Sequence, residues 1–105
     1  HHHQLAVLSL DPKLENRIIS ESGTRESSTL GVEPRLAEHL LRRIAPMAER
    51  MIRQGRQPVL LCAGSIRRTL LRLTQRSVPH LSVLSVEEIP RRVALQSFDI
   101  VKLEN

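Results

Sequence analysis

Aromatic residues are almost missing: Phe98 is the only one, with no tryptophan or tyrosine beside it. That removes the stacking platforms on which single-strand nucleic-acid binders lay out bases. A single cysteine, Cys62, excludes an intramolecular disulfide, and the paired cysteines of a zinc site are missing with it. A reducing cytosolic setting is the simplest reading. Histidine is scarce once His1–His3 are set aside as the end of a purification tag, which leaves His39 and His80 and little from which to build a metal site. The four glycines are isolated, so there is no glycine-rich nucleotide loop and no cofactor is implied. No apolar run approaches the roughly 18 to 20 residues that span a bilayer, and no signal-peptide pattern follows the tag, so a soluble chain is expected.

What the chain does have is arginine. Ten arginines lie between Arg35 and Arg76 against only Glu38 and Glu49, a local balance of +8 inside a total of +5, so the remainder sums to −3. Such a basic surface attracts nucleic acid, acidic lipid headgroups or an acidic protein face. The plainer alternative is that the arginines solvate the outer faces of two helices while their stems cover apolar surface.

At 105 residues and 40% hydrophobic, the chain suits one domain with one modest core, read here as residues 4–103. Leu5–Leu10 is a short apolar run closed by Asp11 and Pro12, a cap and a first-turn residue for a helix over Pro12–Ser22 with Leu14, Ile18 and Ile19 on one side. Gly23 is its natural stop, and residues 23–31 turn to glycine, serine, threonine and charge, an exposed loop. Leu36, Leu40, Ile44, Met47 and Met51 recur at helical steps between Pro34 and Gly55, and Pro46 should kink or divide that helix near Arg42.

The run Pro58–Ala63 lacks polar alternation, as expected of a strand covered on both faces. Ser65 offers the N-cap of a third helix with Ile66, Leu70 and Leu73 inward, closed by Pro79, and Leu81–Ser85 then reads as a strand parallel to the first run. A turn at Glu87–Pro90 and an imperfectly alternating segment over Val93–Leu103, placed at a sheet edge, complete the chain. The fold class is therefore α/β, a small mixed sheet of about four strands with three helices, in the order β-α-α-β-α-β-β.

One constellation looks catalytic. From Cys62 to Thr69 the chain matches a cysteine, five residues, arginine and a hydroxyl residue, at a strand end facing a helix start. There a thiolate would be stabilised, and the loop amides with Arg68 would cradle a phosphate dianion, as in cysteine-dependent phosphatases and related reductases. Against it, Leu61 replaces the usual preceding histidine, the lone glycine falls a position early, and no general acid is placed for a leaving group. A small buried hydrophobe ending a core strand is the plainer account of Cys62. His39 and His80 read as solvated side chains.

Leu8–Pro12 followed by a short helix, then Gly31–Leu41, then Pro58–Leu61, resemble in succession the export-gate family of type III secretion systems: flagellar FlhA and its SctV- and InvA-like injectisome counterparts. The resemblance continues through Ile66-Arg67, Leu70, Arg72, Arg76–Pro79, Leu81, Val83–Ser85 and Glu88–Pro90, covering essentially the whole chain after the tag. It departs at Pro46, not expected inside that helix, and at Arg68, where proline is frequent. The ending Asp99–Leu103 lacks the glycine-bearing finish of many members, which leaves the flagellar and injectisome branches both open, with a slight lean toward the virulence branch.

The resemblance implies the last cytoplasmic subdomain of a much larger, multi-pass protein at the cytoplasmic face of the bacterial inner membrane, with a thioredoxin-like variant fold. It further implies a nonameric ring that docks chaperone and substrate complexes for export, with no catalysis. The surface expected to meet acidic neighbouring subdomains, protomers or export partners is Arg42, Arg43, Arg50, Arg53, Arg72 and Arg76. A phosphatase or reductase using Cys62 and Arg68 is the alternative from another class, and a basic nucleic-acid-binding module, lacking any recognition motif, is a third.

Overall fold

The computed structural model describes residues 4–24 and 31–103; the expected tag at 1–3 and residues 25–30 of the expected loop lie outside them. The elements are β1 (Gln4–Leu10), α1 (Pro12–Thr24), α2 (Pro34–Arg53), β2 (Val59–Cys62), α3 (Arg67–Thr74), β3 (Ser82–Ser85) and β4 (Ala94–Val101), in the order predicted. They form a four-stranded sheet in the order β3-β2-β1-β4. Val59–Cys62 lie opposite Ser82–Ser85 in parallel register, so the central strand-helix-strand unit is present, and Leu8 of β1 faces Leu60 of β2.

β4 also runs parallel to β1, pairing Gln4 with Ala94 and Leu10 with Val101, so the sheet is parallel throughout where a mixed one is expected. The expectation follows from the short link: parallel crossovers normally take about a dozen residues or more. Residues 86–93 make the crossing as a 3₁₀ turn over Val86–Glu88 followed by a second turn, in which the Val93 amide donates to the Pro90 carbonyl at 3.0 Å. β4 lies at the edge, as its weak alternation predicts, and a register shift opposite Val7 and Leu8 leaves Phe98 outside the ladder.

One core joins the whole. Ala6, Leu8 and Leu10 of β1, Leu60 and Cys62 of β2, Val83 of β3 and Val101 of β4 point to the same side, where Leu14 and Ile18 of α1, Leu36, Leu40, Ile44 and Met51 of α2, and Leu70 and Leu73 of α3 meet them. Three amphipathic helices therefore cover one face. Right-handed crossovers that step β1 to β2 to β3 over that face send the return link 86–93 over the other. Val7 and Val59, which point there, are buried as well, so β2 does end with both faces screened.

Four local expectations are corrected. α1 passes Gly23 and ends at Thr24. α2 is not divided at Pro46: it runs unbroken from Pro34 to Arg53, and Pro46 is solvent-exposed, so the Arg42 carbonyl that it deprives of a helical donor faces the wet side. Ser65 is not a cap, because Gly64–Ile66 form a 3₁₀ turn and Ile66 occupies the position before α3. α3 stops at Thr74, not at Pro79; the buried Thr74 hydroxyl donates to the Leu70 carbonyl at 2.8 Å, and the Val78 amide folds back to the Thr74 carbonyl at 2.8 Å.

α2 starts without a side-chain cap of its own, and α1 lends one. The Glu33 amide donates to the Glu21 carboxylate at 2.8 Å, while Arg17 bridges Glu21 and Glu33 at 3.2 and 3.7 Å. Leu40, fully buried where the core cluster meets α2, is the position on which this packing depends. Leu40→Ala should lower unfolding free energy by about 3 kcal/mol, measured as a shift in urea midpoint at constant slope. A loss under about 1 kcal/mol would mean that α2 does not pack as described.

Candidate functional site

Cys62 ends β2, 2% exposed, and its Sγ donates to the Leu84 carbonyl at 3.6 Å. The loop beyond it is built against anions. The Ala63 amide, the first donor a phosphate would seek, already donates to the Glu15 carboxylate at 2.9 Å. A Cβ placed on Gly64 would come within 3.0 Å of a Glu87 carboxylate oxygen. Arg67, not Arg68, turns inward, donating from Nε to the Val83 carbonyl at 3.1 Å and pairing with Glu88 at 2.9 Å. Arg68 is exposed and, among the described residues, has no ion pair.

The thiol follows these surroundings. Burial first, then the Glu15 charge, push Cys62 from its ordinary 9.0 up to about 12, with Glu88 and Glu87 adding and only Arg67 opposing. A neutral thiol facing carboxylates is neither a nucleophile nor part of an anion cradle. The sequence pattern brought the right residue types together, and the fold aims them wrongly. His39 and His80 are both exposed, and among the described residues no three His, Cys, Asp or Glu side chains stand together as a metal site.

The six arginines expected to face partners divide into two groups. Arg42 pairs with Glu38 one turn earlier. Arg43 donates to the Lys102 carbonyl at 2.8 Å, and Arg50 reaches Asp99 at 2.5 Å while its guanidinium lies 5.6 Å from the Phe98 ring centroid. These two arginines tie α2 to the end of β4 and the residue after it. Arg53, Arg72 and Arg76 are exposed and, among the described residues, have no ion pair.

Parallel topology then adds residues that the spacing along the chain does not group. In a parallel sheet every strand begins at the same end, so the arginines just before β2 (Arg53, Arg56), β3 (Arg72, Arg76) and β4 (Arg91, Arg92) collect there. All six are exposed, and Glu49 is the neighbouring carboxylate on α2. A rule that strand starts share an end would have found Arg56, Arg91 and Arg92 once β4 was taken as parallel. At the same end a groove of about 220 Å³ opens between Ala45, Ala48 and Ile52 of α2 and the Val78-Pro79 turn, with Glu49 and His80 at its border. Ile52 is 46% exposed in it.

A model of the FHIPEP family matches residues 1–94. The chain belongs to that family. It is similar to the flagellar biosynthesis protein FlhA of Bacillus subtilis, 31% identical over 100 residues, which are 94% of this chain and 15% of that protein. The chain thus spans a small part of the family relative that it matches. Its fold resembles the Chlamydia pneumoniae CdsV protein, with a TM-score of 0.70 and 26% identity over 92% of this chain and 28% of the other. It also resembles nonameric EPEC SctV-C, with a TM-score of 0.72 and 22% identity over 94% of this chain and 29% of the other. Membership of the FHIPEP family and an α/β fold shared with CdsV and SctV-C are thereby established.

Two titrations check the electrostatics of this family member. Since folding raises the Cys62 pKa, its contribution to stability is intact below the ordinary value of 9.0 and is lost as pH rises toward about 12. Native chain should resist a disulfide-exchange reagent at about pH 8 and react with one equivalent after unfolding; rapid native reaction would contradict a buried neutral thiol.

On the acid side, the Arg50 hydrogen bond holds Asp99 below its ordinary range, and the Ser85 amide at 2.8 Å does the same for Glu88. Their contributions are present above ordinary carboxylate values and disappear as pH falls through the depressed ones. Because the Asp99 side chain is 36% exposed, Asp99→Asn should cost only about 0.5 kcal/mol near neutrality, a gap that closes as pH falls below the ordinary carboxylate range.

Proposed function

We propose that this chain is the last cytoplasmic subdomain of a type III export gate and works there as a non-enzymatic docking and assembly unit. The observation that carries this reading is the family match across residues 1–94. The intact protein is then a multi-pass protein of the bacterial inner membrane, with this subdomain on the cytoplasmic side. Among the described residues no helix is long and apolar enough to cross a membrane, which is compatible with that placement.

Within the gate, the subdomain helps build a ring and present chaperone-substrate complexes for secretion. Support comes from the nonameric state of SctV-C, whose fold is similar. Its partner-facing charge is the subset Arg53, Arg72 and Arg76 of the six arginines first considered, because Arg42, Arg43 and Arg50 are engaged internally. Association through such exposed charges is weak and salt-sensitive. The lean toward the virulence branch draws no support from the flagellar relative, and the reading needs only what both branches share.

The phosphatase reading loses its basis in the protonated, carboxylate-flanked Cys62. In cells, a full-length gate lacking residues 4–103 should insert in the membrane and fail to secrete, while Cys62→Ala should secrete at the wild-type rate. Secretion that survives the deletion, or that stops with the Cys62→Ala protein still folded, would refute the proposal.

A further inference from the structure

Basic charge and an apolar groove coincide at the strand-start end of the sheet. Ile52, in the groove wall, is followed directly by Arg53, and Arg76 directly precedes Ser77 in the opposite wall. Arg72 stands in the last turn of α3, and Arg56 precedes β2. A groove of about 220 Å³ is smaller than the roughly 300 Å³ at which ligand pockets begin, so it accepts a side chain rather than a metabolite. One wall is helical and nearly all aliphatic, bordered by the single acid Glu49.

We propose that this groove docks an acidic peptide segment carrying one aliphatic anchor: the anchor enters between Ile52 and Pro79 while flanking carboxylates meet Arg53, Arg56, Arg72 and Arg76. The proposal rests on the docking reading above and specifies the chemistry of the partner. Charge complementarity selects an acidic occupant, and the apolar depression between the arginines selects a peptide over a polyphosphate backbone. Phosphates have nothing to place against Ala45, Ala48 and Val78, and Phe98, the one aromatic, is engaged by Arg50 in the contact between α2 and β4. Exposed pairs contribute little singly, so affinity comes from several arginines acting with the buried anchor.

The test uses the 105-residue chain and a fluorescein-labelled poly-glutamate peptide bearing one central leucine, followed by anisotropy. Arg53→Glu combined with Arg76→Glu should weaken binding about tenfold or more, and leucine→serine in the peptide or Ile52→Ser in the chain about tenfold, with circular dichroism unchanged. Arg91→Glu with Arg92→Glu, beside β4 at the far edge of the sheet, should change binding much less.

Equal affinity for the leucine-free peptide, or tighter binding to duplex DNA or to phosphatidylserine vesicles, overturns the proposal. Absence of peptide binding while the gate lacking residues 4–103 still fails to secrete sinks the groove alone. Peptide binding intact with secretion unaffected by that deletion sinks the docking reading instead and leaves the groove.

Discussion

The parallel alignment of all four strands is the constraint on which the rest of this molecule depends. A parallel neighbour cannot be reached by a tight turn, so the chain must cross a sheet face after every strand. The crossings by α1, α2 and α3 bury Leu8, Leu60 and Val83 under Leu40, Ile44 and Leu70, which is where the hydrophobic free energy lies. The same geometry brings every strand start to one end and every strand finish to the other. Both chemical features of the surface follow from that division.

At the starting end, α2 and α3 terminate, and their unpaired carbonyls carry partial negative charge. Arg50 and Arg53 lie in the last turn of α2 and Arg72 in the last turn of α3, so part of the arginine excess is intrinsically favourable there. Those arginines therefore have a structural role before any partner arrives. Arg50 gives it up to Asp99, fastening α2 to an edge strand that otherwise has four consecutive exposed residues, Ala94–Ser97. Among the described residues Arg53 and Arg76 have no such ion pair, which leaves them available.

At the finishing end, the helix start beyond β2 would attract an anion, and the protein supplies its own. Glu15 from α1 takes the Ala63 amide, Glu87 crowds Gly64, and Glu88 folds back onto the Ser85 amide and hydroxyl. Filling the donors with internal carboxylates locks α1 and the post-β3 turn to the end of β2. It also raises the thiol that a phosphatase would need lowered. One set of contacts thus stabilises the fold and removes the reactivity that the Cys62–Thr69 spacing imitates.

Periodicity along the chain was enough to locate the three helices, the strand at Val59–Cys62 and its partner at Ser82–Ser85, because apolar spacing is dictated by which face each element buries. Order and composition also carried the family likeness. The direction of β4 was not legible locally, since an eight-residue link serves a hairpin-like return or a diagonal crossing, and only competition for edge pairing decides between them. Nor could the chain show which arginines are spent: Arg43 and Arg50 find Lys102 and Asp99 from 59 and 49 residues away. Long-range electrostatics, which chose Glu15 over a phosphate at Ala63 and left Arg53 and Arg76 beside an apolar groove, came into being only when the chain had packed.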